Sequence, residues 1–287
     1  MKVLRMIGWL LLMMILVAGG IYVYNLWLNQ TFVTTFYTME TDKPVEGLRL
    51  VELSDLHLSE YGEKNADLVQ RVQDLAPDLI VVAGDMDIDT NDDYSIVTDL
   101  MTQLVEIAPV YYAPGNHEWA GIYAFGSKNL AADMKALGVH WMDQCWEDVD
   151  IGESKLRIGG FFEWPRAELE RKGSRQVVEA MDGNTNDLSD RFTLLISHCP
   201  ELFYTSLKDT QIDLGISGHA HGGLMRLPGT DGLWSTSQGF LPKYTSGLRQ
   251  IGESTVVISR GLGDGKGTPV PRINNPPELV IVDINWF

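Results

Sequence analysis

Apolar residues fall along this 287-residue chain in three patterns. The first is a single block. Met6–Leu28 holds no charged residue, is rich in Leu, Met and Ile, and follows Lys2 and Arg5. As a helix it is long enough to cross a hydrocarbon core of about 30 Å. Trp9, Tyr22, Tyr24 and Trp27 lie near its ends, where amphipathic rings favour the membrane interface. A cleaved signal peptide is the alternative, with small residues around Val17–Gly20, but the apolar run continues past them to Leu28. We therefore expect residues 1–30 to be an uncleaved anchor and residues 31–287 one domain. The cationic end should stay in the cytoplasm, which places the domain on the extracytoplasmic side of the cell membrane.

The second pattern is a set of short, continuous or alternating apolar runs that read as strands: Thr31–Thr38, Leu48–Leu53, Leu79–Ala83, Val110–Ala113, Phe192–Ser197, Asp213–Ser217, Glu253–Ser259 and Glu278–Ile284. Leu79-Ile-Val-Val-Ala83 is uninterrupted and β-branched, as a strand covered on both faces should be. The third pattern is helical spacing. It covers Glu63–Ala76, stopped by Pro77, then Asp92–Ile107, then Ser127–Leu137, where Gly138 sits at a left-handed cap position. Strands and helices alternate, so the fold class is α/β. The middle of the chain differs. Val139–Val149 and Lys155–Phe162 read as a hairpin turned by Asp150–Ser154, with no helix between them. Glu163–Asp190 is polar and partly helical, ending in a loop at Asp182–Asp187. Pro200 suits the first turn of a short helix reaching about Lys208. Ile-Gly-Glu-Ser occurs at 151–154 and again at 251–254, which two similar turns explain.

Charge narrows the partners. Without Lys2 and Arg5 the chain carries 20 basic and 39 acidic residues, a formal −19. Such a surface repels polyphosphate backbones, so no nucleic-acid partner is expected. Cys145 and Cys199 would have the chance to pair outside the cytoplasm, but spacing does not decide it.

The polar residues at the strand ends carry the chemistry. Of six histidines, His57, His117, His198, His219 and His221 stand beside Asp, Asn, Gly or Pro where apolar runs end; His140 alone does not. In open α/β sheets ligands bind outside the carboxyl ends of strands. Five such ends deliver Asp55 and His57, Asp85, Asn116 and His117, His198, and His219 and His221. Asp55, His57, Asp85, Asn116, His198, His219 and His221 offer carboxylate, amide and imidazole donors and no thiolate. They are too many for one tetrahedral ion and suit two five- or six-coordinate ions sharing a carboxylate, with Mn, Fe, Zn, Co and Ni all compatible. A metal pair about 3.5–4 Å apart lowers the pKa of a shared water towards about 7 and clamps an in-line displacement at phosphorus. His117, beside Asn116, is the candidate to protonate the leaving group. A catalytically silent metal-binding recognition module is the alternative; it would be free to lose ligands, and none is missing.

Asp55-Leu-His57, Gly84-Asp85, Gly115-Asn116-His117-Glu118, His198 and Gly218-His-Ala-His221 resemble, in order, the motif series of the calcineurin-like metallophosphoesterases. Ser259–Gly263, Pro271-Arg272 and Asn275-Pro-Pro-Glu-Leu279 are similar to the bacterial membrane-associated subfamily labelled YkuE/YaeI-like phosphodiesterases. The resemblance implies a four-layer α/β/β/α sandwich of two mixed sheets around a dinuclear site, and hydrolysis of phosphoric esters. It implies that Asp55, His57, Asp85 and His221 hold one metal, that Asp85 bridges to a second held by Asn116, His198 and His219, and that His117 assists the leaving group. The chain departs from the pattern at Ile88, where many relatives carry an acid, and at Ala220 and Leu224. Leu224, Trp234, Phe240 and Tyr244 make the nearby loop apolar, which fits a lipid-like or cell-envelope substrate and fits plain packing equally.

Overall fold

The computed structural model describes residues 2–88, 93–124, 126, 129–162, 190–210, 212–227, 229–263 and 272–287. Helix α1 is Lys2–Leu28, the apolar block, and it stands clear of the domain along nearly its whole length. Two six-stranded sheets follow. The first is built from β1 (Val33–Thr41), β2 (Leu48–Leu53), β3 (Leu79–Val82), β4 (Val110–Tyr112), β5 (His140–Trp141) and β14 (Glu278–Trp286), in the order β1-β14-β2-β3-β4-β5. The second is built from β6 (Cys145–Ile151), β7 (Ser154–Gly160), β8 (Phe192–Ile196), β9 (Leu214–Ser217), β12 (Gly247–Ile251) and β13 (Ser254–Ile258), in the order β12-β13-β9-β8-β7-β6. A two-stranded ribbon, β10 (Trp234–Ser235) with β11 (Gly239–Phe240), stands apart from both.

Side-chain alternation explains the layering. On β2, Leu48 and Leu50 point into the space between the sheets while Val51 and Leu53 point the other way. Leu79, Val81, Tyr111, Val280 and Val282 join Leu48 and Leu50, and they meet Leu156, Ile158, Leu194, Ile196 and Ile216 from the second sheet. That is the central core. Outside the first sheet lie α2 (Ala66–Leu75), α3 (Ser95–Leu104) and α5 (Leu130–Ala136), whose Leu68, Val72, Leu100, Leu104 and Met134 cover Val51, Leu53, Ile80 and Val82. The short α4 (Asn116–Trp119) opens directly after β4. Outside the second sheet, Leu202 and Phe203 of the turn of helix Glu201–Tyr204 cover Leu195, Val256 and Ile258. Helix, sheet, sheet and helix are thus stacked as expected.

Several elements differ from the pattern reading. The run Val139–Val149 is not one strand. His140–Trp141 pairs with β4 in the first sheet, whereas Cys145–Ile151 pairs with β7 in the second. The chain changes sheets between them, with Gln144 at φ +53°. Period-2 patterning cannot see this, because both pieces are half-buried strand. Among the described residues, the helix expected at Asp92–Ile107 spans Ser95–Leu104, that expected at Ser127–Leu137 spans Leu130–Ala136, and the helix after Pro200 ends at Tyr204. The first strand lies at Val33–Thr41 instead of Thr31–Thr38, and β12 was not expected. The expected features of Glu163–Asp190 lie outside the described residues, all but Asp190 itself. The two Ile-Gly-Glu-Ser stretches are indeed equivalent two-residue hairpin turns, with Gly152 at φ +58° and Gly252 at φ +60°. Cys145 and Cys199 are not bonded to each other.

Register decides where chemistry collects. β2, β3, β4 and β5 run parallel, as do β7, β8, β9 and β13. Their carboxyl ends lie at one end of the sandwich: Gly218 N donates to His198 O across the second sheet, and His219 N donates to Asp55 across the gap between sheets.

Candidate metal centre

Five of the expected site residues lie in sharp turns beyond their strands. Asp55, His57, Asp85, His219 and His221 all have φ between +46° and +65°. For residues with a Cβ this left-handed region costs on the order of 1–3 kcal/mol each, and it persists only where the surroundings enforce it. The enforcement is visible. Asp55 N donates to Gly84 O and His57 N to Asp85 O, so the loops after β2 and β3 are zipped together. Gly84, at φ +80°, lies against Gly115 so closely that a side chain there would overlap the Gly115 backbone. The loop after β4 is thereby locked on as well, with His117 N donating to Asp85 Oδ1 at 2.9 Å.

The side chains converge in three overlapping groups: Asp55 with His57 and His221, His57 with Asp85 and His117, and Asp85 with His198 and His219. Within each group the donor atoms lie within 4.8 Å of one another. His57 Nε2 and His221 Nε2 are 3.4 Å apart, and Asp55 Oδ1 is 3.7 Å from His221 Nε2. Asp85 Oδ2 is 3.0 Å from His198 Nε2, which is 3.1 Å from His219 Nδ1. Asn116 Oδ1 is buried and has no hydrogen-bond partner. The His117 side chain is 30% exposed against 7% for His57 and 0% for His198, with Nε2 3.8 Å from Asp85 Oδ2. All the expected site residues other than Asn116 therefore enter one cluster, and Asn116 adjoins it through His117. His140 lies elsewhere, stacked on Tyr111 and paired with Glu147.

Electrostatics follow from burial. Burial pushes the Asp55 carboxyl up to about 6, against the pull of His198. It drops His57 and His219 to about 4 and His221 well below the usual histidine range, so these rings are neutral and keep a lone pair. Burial acts on Asp85 and His198 too, but their mutual attraction outweighs it: Asp85 is held well below the carboxylate range and His198 well above the imidazole range. His198 has its other nitrogen engaged, Nδ1 lying 2.7 Å from Ala83 O. With the Nδ1 proton given to that carbonyl, Nε2 is the nitrogen that faces Asp85, and the proton it carries there is the one a bound cation would displace.

These residues fit divalent cations. Buried carboxylates and imidazole nitrogens converge across 3.0–3.9 Å, three of the rings neutral, and a buried amide oxygen lacks a partner beside them. Buried polar atoms without partners are costly, and an ion supplies what is missing.

Three residues in this shell were quoted in motifs without a role. Glu118, fully buried, accepts from Asp85 N, Met86 N, Asp87 N, Gly115 N and Tyr112 Oη, which binds the loop after β3 to the start of α4. Asn275 Nδ2 donates to His221 O at 2.7 Å and to Leu224 O, holding the histidine loop. Arg272, 1% exposed, lies with Nη2 3.4 Å from His221 Nδ1 and donates to Arg260 O. Only their places in the quoted motifs marked them in the sequence, since no apolar run ends at Arg272 or Asn275.

Comparison with known proteins agrees with this geometry. Residues 48–223 match the family described as calcineurin-like phosphoesterase. The uncharacterized metallophosphoesterase YkuE of Bacillus subtilis (strain 168) is 29% identical over 261 residues, covering 86% of this chain and 85% of that protein. The phosphodiesterase YaeI of Escherichia coli (strain K12) is 23% identical, covering 82% of each chain. Among solved structures, the phosphopantetheinyl hydrolase of Mycobacterium tuberculosis superposes with a TM-score of 0.46 at 14% identity, covering 79% of this chain and 94% of that one.

Proposed function

The chain belongs to the calcineurin-like phosphoesterase family and is a phosphoric ester hydrolase, and on that premise we propose how its residues divide the work. Asp55, His57, Asp85 and His221 would hold one divalent ion and Asp85, Asn116, His198 and His219 a second, with Asp85 offered to both. Divalent ions held there would supply positive charge to the phosphoryl oxygens and lower the pKa of a water that they bind. The observation that carries this reading is the position of Asp85. Its carboxylate belongs both to the group with His57 and His117 and to the group with His198 and His219.

The chain's own residues do the remaining work. Glu118 and the zipped loops keep Asp85 in its left-handed conformation, so its carboxylate is aimed before substrate arrives. Ser54 Oγ donates to Asp55 Oδ2 at 2.5 Å, leaving Oδ1 turned to the imidazole nitrogens. His117, at the open rim, donates a proton from its ring to the departing alkoxide oxygen. Helix α1 anchors the domain in the membrane, with Lys2 and Arg5 on the cytoplasmic side and the site outside. A phosphoester with a lipid-linked or cell-envelope leaving group fits that placement.

The test uses the full chain in detergent with an aryl phosphodiester and each of Mn²⁺, Fe²⁺, Zn²⁺, Co²⁺ and Ni²⁺. Turnover is expected with at least one metal, with loss on chelation and in Asp85→Asn. No turnover with any of them would favour a silent metal-binding recognition module. An Asp85→Asn chain that keeps two bound ions and a near-normal rate would refute the shared carboxylate.

A further inference from the structure

Strand register fixes where the anchor meets the domain. β1 begins at Val33, opposite Glu278 of β14, and Val280 of β14 lies opposite Glu52 of β2. The start of β1 therefore sits at the end of the sandwich where β2 delivers Asp55. The anchor does not merely hang there. Asn25, 7% exposed in a helix otherwise bare along most of its length, accepts through Oδ1 from Asn274 N at 2.7 Å. Asn29 Nδ2 donates to Arg272 O at 3.3 Å. The segment so gripped is the one whose Arg272 and Asn275 touch His221.

The same segment carries a flap, residues 224–246, that leaves the histidine loop and holds β10 and β11. Met225 bridges to Ile273, and Asn274 Nδ2 donates to Arg226 O. Leu227 is thus the residue after one that is two hydrogen bonds from the anchor's last turn. It is 53% exposed, and on the same flap Phe240 is 73% and Leu241 59% exposed, with the exposed Lys243 close by. Outside α1, the described residues expose few other large apolar side chains: Phe36 midway along β1, and Trp286 and Phe287 at the far end. Apolar side chains mixed with a basic one, beside a membrane-crossing helix, are what an interfacial surface requires.

We infer that this flap is a bilayer-contact surface. Leu227, Phe240 and Leu241 enter the headgroup and acyl boundary next to the anchor, the strand tips face the membrane, and the substrate is the phosphoester of an amphiphile whose apolar part stays in the bilayer. The substrate part rests on the hydrolase reading; the membrane contact does not.

Two measurements on the full chain test it. The first places one fluorophore on Phe240→Cys, on Leu227→Cys, or on Glu153→Cys in the hairpin turn at the far end, each with Cys145→Ser and Cys199→Ser. The chains are reconstituted into vesicles of phosphatidylcholine and phosphatidylglycerol, and quenching by acyl-brominated lipid is compared with quenching by aqueous iodide. Positions 227 and 240 should be quenched by brominated lipid at least about threefold more than position 153, and equal iodide access at 240 and 153 overturns the contact. The second needs no cysteine replacement. Phe240→Ser with Leu241→Ser should keep the rate on a soluble aryl phosphodiester within about twofold and lose about tenfold or more on a long-chain alkyl aryl phosphodiester held in vesicles. Equal change on both substrates overturns the membrane route. Failure of the native chain on the soluble substrate would instead strike the hydrolase reading, while the quenching result stands by itself.

Discussion

Glu118→Gln separates a positioning carboxylate from one that binds metal. Glu118 Oε2 accepts from Asp85 N and Gly115 N, both at 2.8 Å; Oε1 accepts from Met86 N at 2.7 Å, Asp87 N at 3.2 Å and Tyr112 Oη at 2.8 Å. Glutamine keeps one oxygen and turns the other into an amide donor. Whichever way it sits, at least two buried backbone N–H groups face an N–H instead of an acceptor; only the Tyr112 hydroxyl can turn to accommodate it. Hydrogen bonds to charged groups are worth about 1.5–3 kcal/mol each, so losing two costs about 3–6 kcal/mol. For a domain of this size about 2–4 °C of melting temperature accompanies each kcal/mol, which predicts a fall of about 6–24 °C. The assay is thermal unfolding of the full chain in detergent and excess chelator, so that metal binding does not enter. Calorimetric titration with Mn²⁺ follows, and affinity should drop because Asp85, at φ +52°, is no longer held. A glutamine chain that melts within about 2 °C of the native one and binds Mn²⁺ as tightly would refute the clamp.

Other outcomes follow from the same geometry. His117→Ala should retain bound metal yet slow hydrolysis by roughly 10²–10⁴-fold, the range for acid catalysis, with a smaller loss on nitrophenyl than on alkyl esters; equal losses on both would argue against proton donation. Glu52 faces the central core with both carboxylate oxygens unpartnered, and burial, then Glu278 and Asp55, hold its carboxyl well above the ordinary range. The folded chain therefore keeps a proton that the unfolded chain releases above about pH 4.3, and stability falls by about 1.4 kcal/mol per pH unit from there up to the folded pKa. Glu52→Gln should remove that slope, so its gain in melting temperature grows from pH 5 to pH 8; a constant difference would contradict it. Gly218→Ala places a methyl on Ser54 Oγ and Asp55 Oδ2. It should cost about 1–3 kcal/mol and shrink the rise in melting temperature on adding Mn²⁺, while an unchanged metal-dependent rise would show that the loop gives way freely.

The clustered Asp and His residues were legible because each stands where a run changes character. Leu48–Leu53 and Leu79–Ala83 are apolar to their last residue and then become Ser54-Asp55 and Gly84-Asp85. That break is a local property, written into a few neighbouring residues. So is the apolar block of α1, and so are the two Ile-Gly-Glu-Ser turns, where a glycine able to take positive φ marks the reversal. What stayed hidden was non-local. No pattern near Cys145 says that the chain has left the partner of His140–Trp141 and joined another sheet. Nothing near Asn25 says that its amide will meet Asn274, 249 residues away. Glu118 looked like one more polar residue on a helix until the loop after β3 closed over it.

By itself, then, the chain's sequence determined which residues end strands, which block can cross a membrane, and which Asp, Asn and His side chains stand at the strand ends. These follow from hydrophobic periodicity and backbone preference over a handful of positions. Only the tertiary structure decided that the strand ends meet, that β14 slots between β1 and β2, and that α1 arrives at the same end as the clustered Asp and His residues. The physical reason is that strand order is chosen by burying both sheets in one shared core, and the free energy of that choice is spread over contacts between segments far apart along the chain.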